Sequence, residues 1–170
     1  MKLLGADLVV LMSTYNKYNR QRSQIKAKSK GNSLESYLLK NIELLSKQFP
    51  TQFFGEKLNV RKINGMYAKK EPSDFILNTT KGNWLLEAKE CSSDKLQLSK
   101  IPEHQKNSLL AYRQIKSYFK GAFVVWFMTG ESSNLEIDSI NKRIRYIENF
   151  ENKKYFTVDD GIPFGFDIFL

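Results

Sequence analysis

The spacing of apolar residues along the chain predicts helices in three places. Leucine, isoleucine and aromatic residues recur every three or four positions over residues 34–49, with Asn32 as the N-cap and Pro50 as the stop. The same period runs through residues 102–121, a stretch that starts at a proline and ends at a glycine. A third helix, basic and amphipathic, is predicted over residues 140–150.

Shorter apolar runs between the helices predict strands. Residues 74–77 and 84–90 flank a turn-forming stretch at 78–83, so we expect an antiparallel hairpin. Residues 122–128 are continuously apolar, as is typical of a buried central strand. Three further stretches are predicted as a basic excursion or short hairpin (51–72), a strand (135–137) and an aromatic tail (162–170). The order of elements therefore predicts a mixed α/β fold.

Length and composition predict a single soluble domain. A chain of 170 residues is about the size of one domain. Hydrophobic residues make up 41% of it, which excludes a wholly disordered protein, and a mean hydropathy of −0.46 excludes a membrane-embedded one. We expect no signal peptide and no membrane span. Because Cys91 is the single cysteine, a reducing intracellular compartment fits best.

The charge of the chain predicts a polyanionic partner. Lysine and arginine total 27 against 18 acidic residues, a formal net charge of +9, which favours nucleic acid and leaves an anionic membrane surface as the alternative. Residues 1–30 form a basic arm, which is either a contact for phosphates or a solvated tail. The predicted DNA-binding cations of the arm and of the excursion are Lys17, Arg20, Arg22, Lys26, Lys28, Lys30, Arg61, Lys62, Lys69 and Lys70.

Charged residues interrupt the apolar strand at 84–90. Alternation along a strand sends Glu87 and Lys89 to one face and the even-numbered apolar residues of 84–88 to the other. If the preceding loop is centred between residues 80 and 81, Asp74 stands directly across from Glu87. Buried charges are costly, so such a group must be mutually satisfied, bound to a metal or functional.

Two carboxylates and an ammonium group in one place fit metal-assisted hydrolysis of a phosphodiester. Neighbouring carboxylates repel unless a cation lies between them, and oxygen ligands suit Mg²⁺ or Mn²⁺. The ammonium group could orient a water or stabilise a pentavalent phosphate. The Glu-x-Lys triplet recurs at 151–153 in a polar stretch, so its apolar context carries the prediction. Since His104 is the single histidine and no Walker loop is present, histidine-rich metallohydrolases and NTPases are disfavoured.

Four stretches of the chain carry a resemblance to a known family. Asp74 followed by Glu-Ala-Lys looks like the PD-(D/E)XK nuclease core, and the chain as a whole resembles the RecU-type Holliday junction resolvases of bacteria and their phages. The stretches are Lys-Gly-Asn-Ser-Leu-Glu at 30–35, Glu-Ala-Lys-Glu at 87–90, Glu-His-Gln at 103–105 and Ile-Pro-Phe-Gly-Phe at 162–166. The resemblance implies a restriction-endonuclease-like core, with a mixed central sheet flanked by helices.

The resemblance also implies roles for single residues. It makes Asp74 and Glu87 the ligands of Mg²⁺ or Mn²⁺, and Lys89 the cation that orients water or stabilises the transition state. Glu35 becomes a further acidic member that reaches in from the first helix, and Gln105 approaches from the second. The alternatives are a capping box for Glu35 and an ordinary helix-surface amide for Gln105.

The implied activity is the resolution of four-way DNA junctions by paired nicks, performed by a homodimer in the cytoplasm of a bacterial cell or a phage-infected host. Two features depart from the family: Lys30 stands where arginine is usual, and the stretch before Asp74, a projecting stalk in the family, is short here. Two rivals remain open. One is a restriction-like or repair endonuclease with another DNA substrate, and the other is a non-catalytic DNA-binding module with a structural ion-pair cluster.

Overall fold

The structure of the protein is a computed structural model that describes residues 33–58, 62–63, 66–67, 73–128, 138–139 and 142–170. For 62–63 and 66–67 the description covers the backbone. The basic arm at 1–30 and the predicted strand at 135–137 lie outside the described residues, so those two predictions stay predictions.

The first helix, α1, spans Leu34–Gln48 and matches the prediction over 34–49. Its N-cap is Ser33 rather than Asn32, because the Ser33 hydroxyl accepts a hydrogen bond from the backbone N–H of Ser36 at 3.2 Å. Neither α1 nor the second helix is long and apolar enough to cross a membrane, and no other described helix is either.

The second helix, α2, is shorter than predicted. It spans Glu103–Arg113, with Pro102 at the N-cap rather than at the first helical position. The apolar residue Ile115, which continues the helical spacing, is 57% exposed, and Phe119 already begins a strand. The extension of the helix to residue 121 was therefore wrong, because the chain turns after Arg113 to bring the next strand beneath the helix.

The described part of the chain contains ten strands. They are β1 (Phe53–Lys57), β2 (Lys62–Ile63), β3 (Met66–Tyr67), β4 (Phe75–Thr79), β5 (Gly82–Cys91), β6 (Lys95–Gln97), β7 (Phe119–Phe127), β8 (Ile144–Ile147), β9 (Tyr155–Thr157) and β10 (Ile162–Pro163).

Six of these strands form the central sheet, in the order β1, β4, β5, β7, β8, β10. The pairing of β5 with β7 is parallel and the other pairings in this sheet are antiparallel. Two smaller sheets pair β2 with β3 and β6 with β9.

The predicted mixed α/β class is confirmed, with a mixed central sheet between two helices. The hairpin of β4 and β5 and the buried central strand β7 are where the pattern predicted them. The β2 and β3 pair is the short hairpin expected within 51–72. This architecture is consistent with the restriction-endonuclease-like core that the resemblance implies.

The third predicted helix was wrong. Residues 144–147 form β8, which pairs with β7 from Phe123↔Ile147 to Trp126↔Ile144. Isoleucines three and four positions apart are spaced as in a helix. In β8, Ile144 and Ile147 lie on opposite faces of the sheet, both buried, and the free edge of β7 provides backbone partners for the strand.

Each helix covers one face of the sheet. The core on the α1 side includes Leu34, Leu38, Ile42, Phe75, Leu77, Trp84, Leu86, Ala88, Val124 and Trp126. The core on the α2 side includes Leu85, Cys91, Leu98, Leu109, Phe123, Val125, Phe127 and Phe150. The aromatic tail at 162–170 joins the α1 side, where Phe164, Phe166 and Phe169 are buried within the same chain. Odd-numbered residues of β5 thus face α2 and even-numbered ones face α1, as predicted.

We expect Gly121→Ala to destabilise the protein, because a Cβ at Gly121 would lie 2.2 Å from the backbone carbonyl oxygen of Leu109 in α2. Backbone cannot give way as a side chain can, so the loss should be ~1–3 kcal/mol in a urea titration. Gly165→Ala is the control, since its Cβ would meet only the flexible carboxylate of Asp167. Equal stability of both variants would contradict the close approach.

Candidate active site

The pairing of β4 with β5 brings Asp74 near the strand that carries Glu87. The paired residues run from Thr79↔Gly82 to Phe75↔Leu86, and the next residue, Asp74, donates its backbone N–H to the carbonyl of Leu86 at 3.1 Å. The loop between the strands consists of residues 80 and 81. The position of the loop is as the sequence predicted, and the charge of Asp74 acts on Glu87.

The Asp74 carboxylate is held by the backbone of β5. Its Oδ2 accepts a hydrogen bond from the N–H of Ala88 at 2.8 Å. Burial raises the pKa of Asp74 above its usual range, and the nearby charge of Glu35 adds to the rise. The bond from Ala88 and the charge of Lys89 oppose it.

The Glu87 carboxylate is buried, with 1% of the residue exposed. Its Oε1 accepts a hydrogen bond from Lys89 Nζ at 2.6 Å. Its Oε2 is buried and accepts no hydrogen bond among the described residues, because the nearby Ser73 hydroxyl, which lowers the pKa of Glu87, donates its hydrogen to the carbonyl of Leu86. Burial raises the pKa of Glu87 to about 7, the charge of Asp74 contributes to the rise, and the bond from Lys89 opposes it. A buried carboxylate oxygen without a partner is rare and requires an explanation.

Glu35 and Lys57 form a second ion pair next to Asp74. Lys57 Nζ lies 2.5 Å from Glu35 Oε2, and both charges act on the pKa of Asp74, Glu35 raising it and Lys57 lowering it. Because Ser33 is the N-cap, Glu35 is the second helical residue, so it does not occupy the third position that a capping box needs.

Sequence reasoning did not single out Lys57. It ends β1, a strand that the pattern did not predict as part of the central sheet, because Gly55, Glu56 and Lys57 break its apolar run. The signal that could have found Lys57 is a segment of strand length directly after the first helix. Its last residue, Lys57, pairs with Phe75, the residue after Asp74.

Gln105 lies in the first turn of α2, the helix that covers one face of the sheet. It is one helical turn before Leu109, which packs on the face of β5 that carries Glu87 and Lys89. Its buried Oε1 has no hydrogen-bond partner among the described residues.

Most of the predicted DNA-binding residues are outside the part of the chain that the structure describes. These are Lys17, Arg20, Arg22, Lys26, Lys28, Lys30, Arg61, Lys69 and Lys70. Lys62 is described by its backbone in β2.

The donor atoms of the site fit a hard divalent cation. Among the described residues no three histidine, cysteine or acidic side chains are grouped so as to hold a metal ion. Mg²⁺ does not need three protein ligands, since it keeps several waters and is bound through one or two carboxylates. The unpartnered Oε2 of Glu87, a residue on which the charge of Asp74 acts, is an acceptor of that kind.

No protein-family model and no curated protein matches the chain. The chain is similar in structure to Hjc, a Holliday junction resolvase from the archaeal hyperthermophile Archaeoglobus fulgidus. The sequences are 9% identical, the alignment covers 71% of this chain and 87% of that one, and the TM-score is 0.40. A similarity of this degree does not bear on the residues of the site.

We expect the metal-free protein to lose stability as the pH rises. The raised pKa values of Glu87 and Asp74 mean that the folded protein keeps protons which the unfolded chain has released. For Glu87 the window runs from pH 4.5 to about 7, and the loss across it should be at most ~3 kcal/mol. Urea titrations at several pH values in the presence of a chelator measure it.

Glu87→Gln should flatten this pH dependence and make the metal-free protein more stable than the wild type at pH 8. Glu103→Gln, which removes a carboxylate that is 72% exposed on α2, is the control and should keep the wild-type profile. A profile that is unchanged in Glu87→Gln would contradict the buried, protonated carboxyl group.

Proposed function

We propose that the protein is a metal-dependent endodeoxyribonuclease whose active site consists of Asp74, Glu87 and Lys89. The observation that carries the proposal is the buried Glu87 carboxylate, which has one oxygen paired with Lys89 and the other without a described partner. Asp74, the residue before β4, acts on this carboxylate through its charge. Strongly perturbed carboxylates next to a specific charge partner are typical of functional sites.

In the proposed mechanism Asp74 and Glu87 would hold a Mg²⁺ or Mn²⁺ ion. A bound ion would supply positive charge at the phosphate and make a water more acidic. Glu87 must give up its proton to serve as a ligand, so its raised pKa makes binding depend on pH near neutrality. Asp74 is kept in orientation by the N–H of Ala88.

Lys89 has a different task in the mechanism. Its ammonium group is fixed by Glu87 Oε1 while 23% of its side chain stays exposed, so it can also reach a solvent molecule or a phosphate oxygen. A cation in that position can orient the attacking water or stabilise the charge that develops on the phosphate.

The non-catalytic alternative explains less of the structure. A structural ion pair accounts for the contact between Lys89 and Glu87. It leaves two neighbouring carboxylates with raised pKa values, and it leaves Glu87 Oε2 without a partner among the described residues. A cation held by Asp74 and Glu87 would account for both features.

For the substrate we propose four-way DNA junctions, cut by a homodimer in the cytoplasm of a bacterial or phage-infected cell. Support comes from the resemblance to RecU-type resolvases and from the formal net charge of +9. A junction has two-fold symmetry, and an isologous dimer presents two equivalent sites to it. We further assign Glu35 and Gln105 to the margin of the site. Parallel assays on labelled junction, duplex and single strand, with and without Mg²⁺, separate this substrate from that of a restriction-like or repair endonuclease.

We expect Asp74→Asn and Glu87→Gln to abolish nicking and to leave junction binding intact or tighter. Each change removes a metal ligand and also a negative charge that repels phosphate. Single-turnover cleavage and gel-shift titrations in Ca²⁺ measure the two effects. Glu103→Gln, on the exposed end of α2, should cut and bind as the wild type does.

Lys89→Ala distinguishes the catalytic from the structural assignment. If Lys89 stabilises the transition state, nicking should fall ~10²-fold or more while the fold survives. Unfolding of this variant together with wild-type nicking by Asp74→Asn would contradict the proposed site.

We expect the basic arm to set the salt dependence of DNA binding. An arm that engages three phosphates adds about 2.7 to the slope of log K against log salt. Deletion of residues 1–29 should flatten that slope and change thermal stability little. As the matched control, a variant that keeps the apolar residues and changes only the arm's cations to Gln should flatten the slope equally. The cations within residues 1–29 are Lys2, Lys17, Arg20, Arg22, Lys26 and Lys28. A lower melting temperature with an unchanged slope would mean that the segment packs on the domain instead.

A further inference from the structure

Glu90, the residue after Lys89, takes part in a contact that the proposed chemistry does not use. It lies on β5 and pairs with Trp126 of β7 in the register of the sheet. Alternation turns it to the α1 face, away from Glu87 and Lys89. There its Oε1 accepts a hydrogen bond from the backbone N–H of Leu34 at 2.5 Å.

Leu34 is the first residue of α1, so Glu90 caps the helix from a strand that is 56 positions away in the sequence. The first N–H groups of a helix have no partner within it, and their partial positive charge favours a carboxylate. Ser33 already provides the local cap, since its hydroxyl accepts from Ser36. Glu90 therefore adds a tertiary tie between the start of α1 and the strand that carries the proposed site.

This hydrogen bond from Leu34 to Glu90 lies one residue before Glu35. Glu35 follows Leu34, whose side chain is fully buried in the core, and its own carboxylate is paired with Lys57 at 2.5 Å. Glu90 therefore holds the backbone next to Glu35, and Lys57 holds the Glu35 side chain. The charge of Glu35 raises the pKa of Asp74.

We propose that Glu90 is a positioning residue: it holds the first turn of α1 against β5 so that the Glu35 carboxylate stays near Asp74 at the margin of the proposed metal site. The inference rests on the proposed function and deepens it, because it assigns a role to the fourth residue of the Glu-Ala-Lys-Glu stretch. Glu87 and Lys89 lie on the α2 face of β5, and Glu90 lies on the α1 face.

Three variants test the role. Glu90→Ala removes the acceptor, Glu90→Gln keeps an oxygen that can accept from Leu34, and Ser33→Ala removes the local cap while leaving the tie from β5. Faster hydrogen exchange of the Leu34 amide in Glu90→Ala, largely restored in Glu90→Gln, is the direct sign of the contact. Unchanged exchange in Glu90→Ala would overturn the proposal.

A double-mutant cycle with Glu35→Gln separates positioning from stability. Glu90→Ala should lower single-turnover nicking about 10-fold, since small displacements in an active site are costly. It should cause no further loss in the Glu35→Gln background. Mg²⁺ affinity without DNA, measured by calorimetry, should fall a few-fold in Glu90→Ala and show the same dependence on Glu35. Ser33→Ala should lower the melting temperature and keep nicking within about 2-fold of the wild type.

The outcomes against the proposal are distinct. Equal losses from Glu90→Ala with and without Glu35, or a Glu35→Gln variant that cuts and binds Mg²⁺ normally, overturn the positioning role while the proposed nuclease stands. If Ser33→Ala lost as much nicking as Glu90→Ala, Glu90 would contribute only to stability. That result would also overturn the positioning role. A wild-type protein that cuts no DNA with Mg²⁺ overturns the proposed function itself.

Discussion

The register between β4 and β5 is the constraint on which the rest of the proposed site depends. Because side chains alternate along a strand, a slip of one residue would send Glu87 and Lys89 into the α1 core and would move Leu86 to the α2 face. The two-residue loop at 80–81 and the burial of Phe75 against Leu86 prevent such a slip. Hydrophobic packing on one face of the hairpin therefore aligns the charged groups on the other.

Those aligned charges oppose folding. Two carboxylates of the site have raised pKa values because burial disfavours their ionised forms. The protein offsets part of this cost with the N–H of Ala88 and the ammonium group of Lys89, and it leaves Glu87 Oε2 without a described partner. A local conflict inside a well-packed sheet is the pattern expected where function, rather than stability, selects the residues.

The sequence predicted the elements that apolar pattern and turn chemistry determine together. The β4–β5 hairpin and its register followed from one alternating run and one short loop. The strand β8 was missed because Ile144 and Ile147 have a helical spacing. In the structure they lie on opposite faces of the sheet, both buried, and β8 forms along the open edge of β7, which is a tertiary effect. Lys57 was missed for a similar reason, since its place beside Glu35 depends on a strand pairing that the local sequence does not indicate.

The charges within the cluster bear on its proposed role. Asp74, Glu87 and Glu35 carry three negative charges when ionised, and Lys57 and Lys89 carry two positive ones, so the group sums to −1 (3 acidic against 2 basic). A net negative group attracts a divalent cation and on its own repels phosphate. With one divalent ion the sum becomes +1, and the same group attracts phosphate. Binding of the metal should therefore come first and strengthen the binding of DNA. Before either ligand binds, Lys57 and Lys89 limit the repulsion among the three carboxylates.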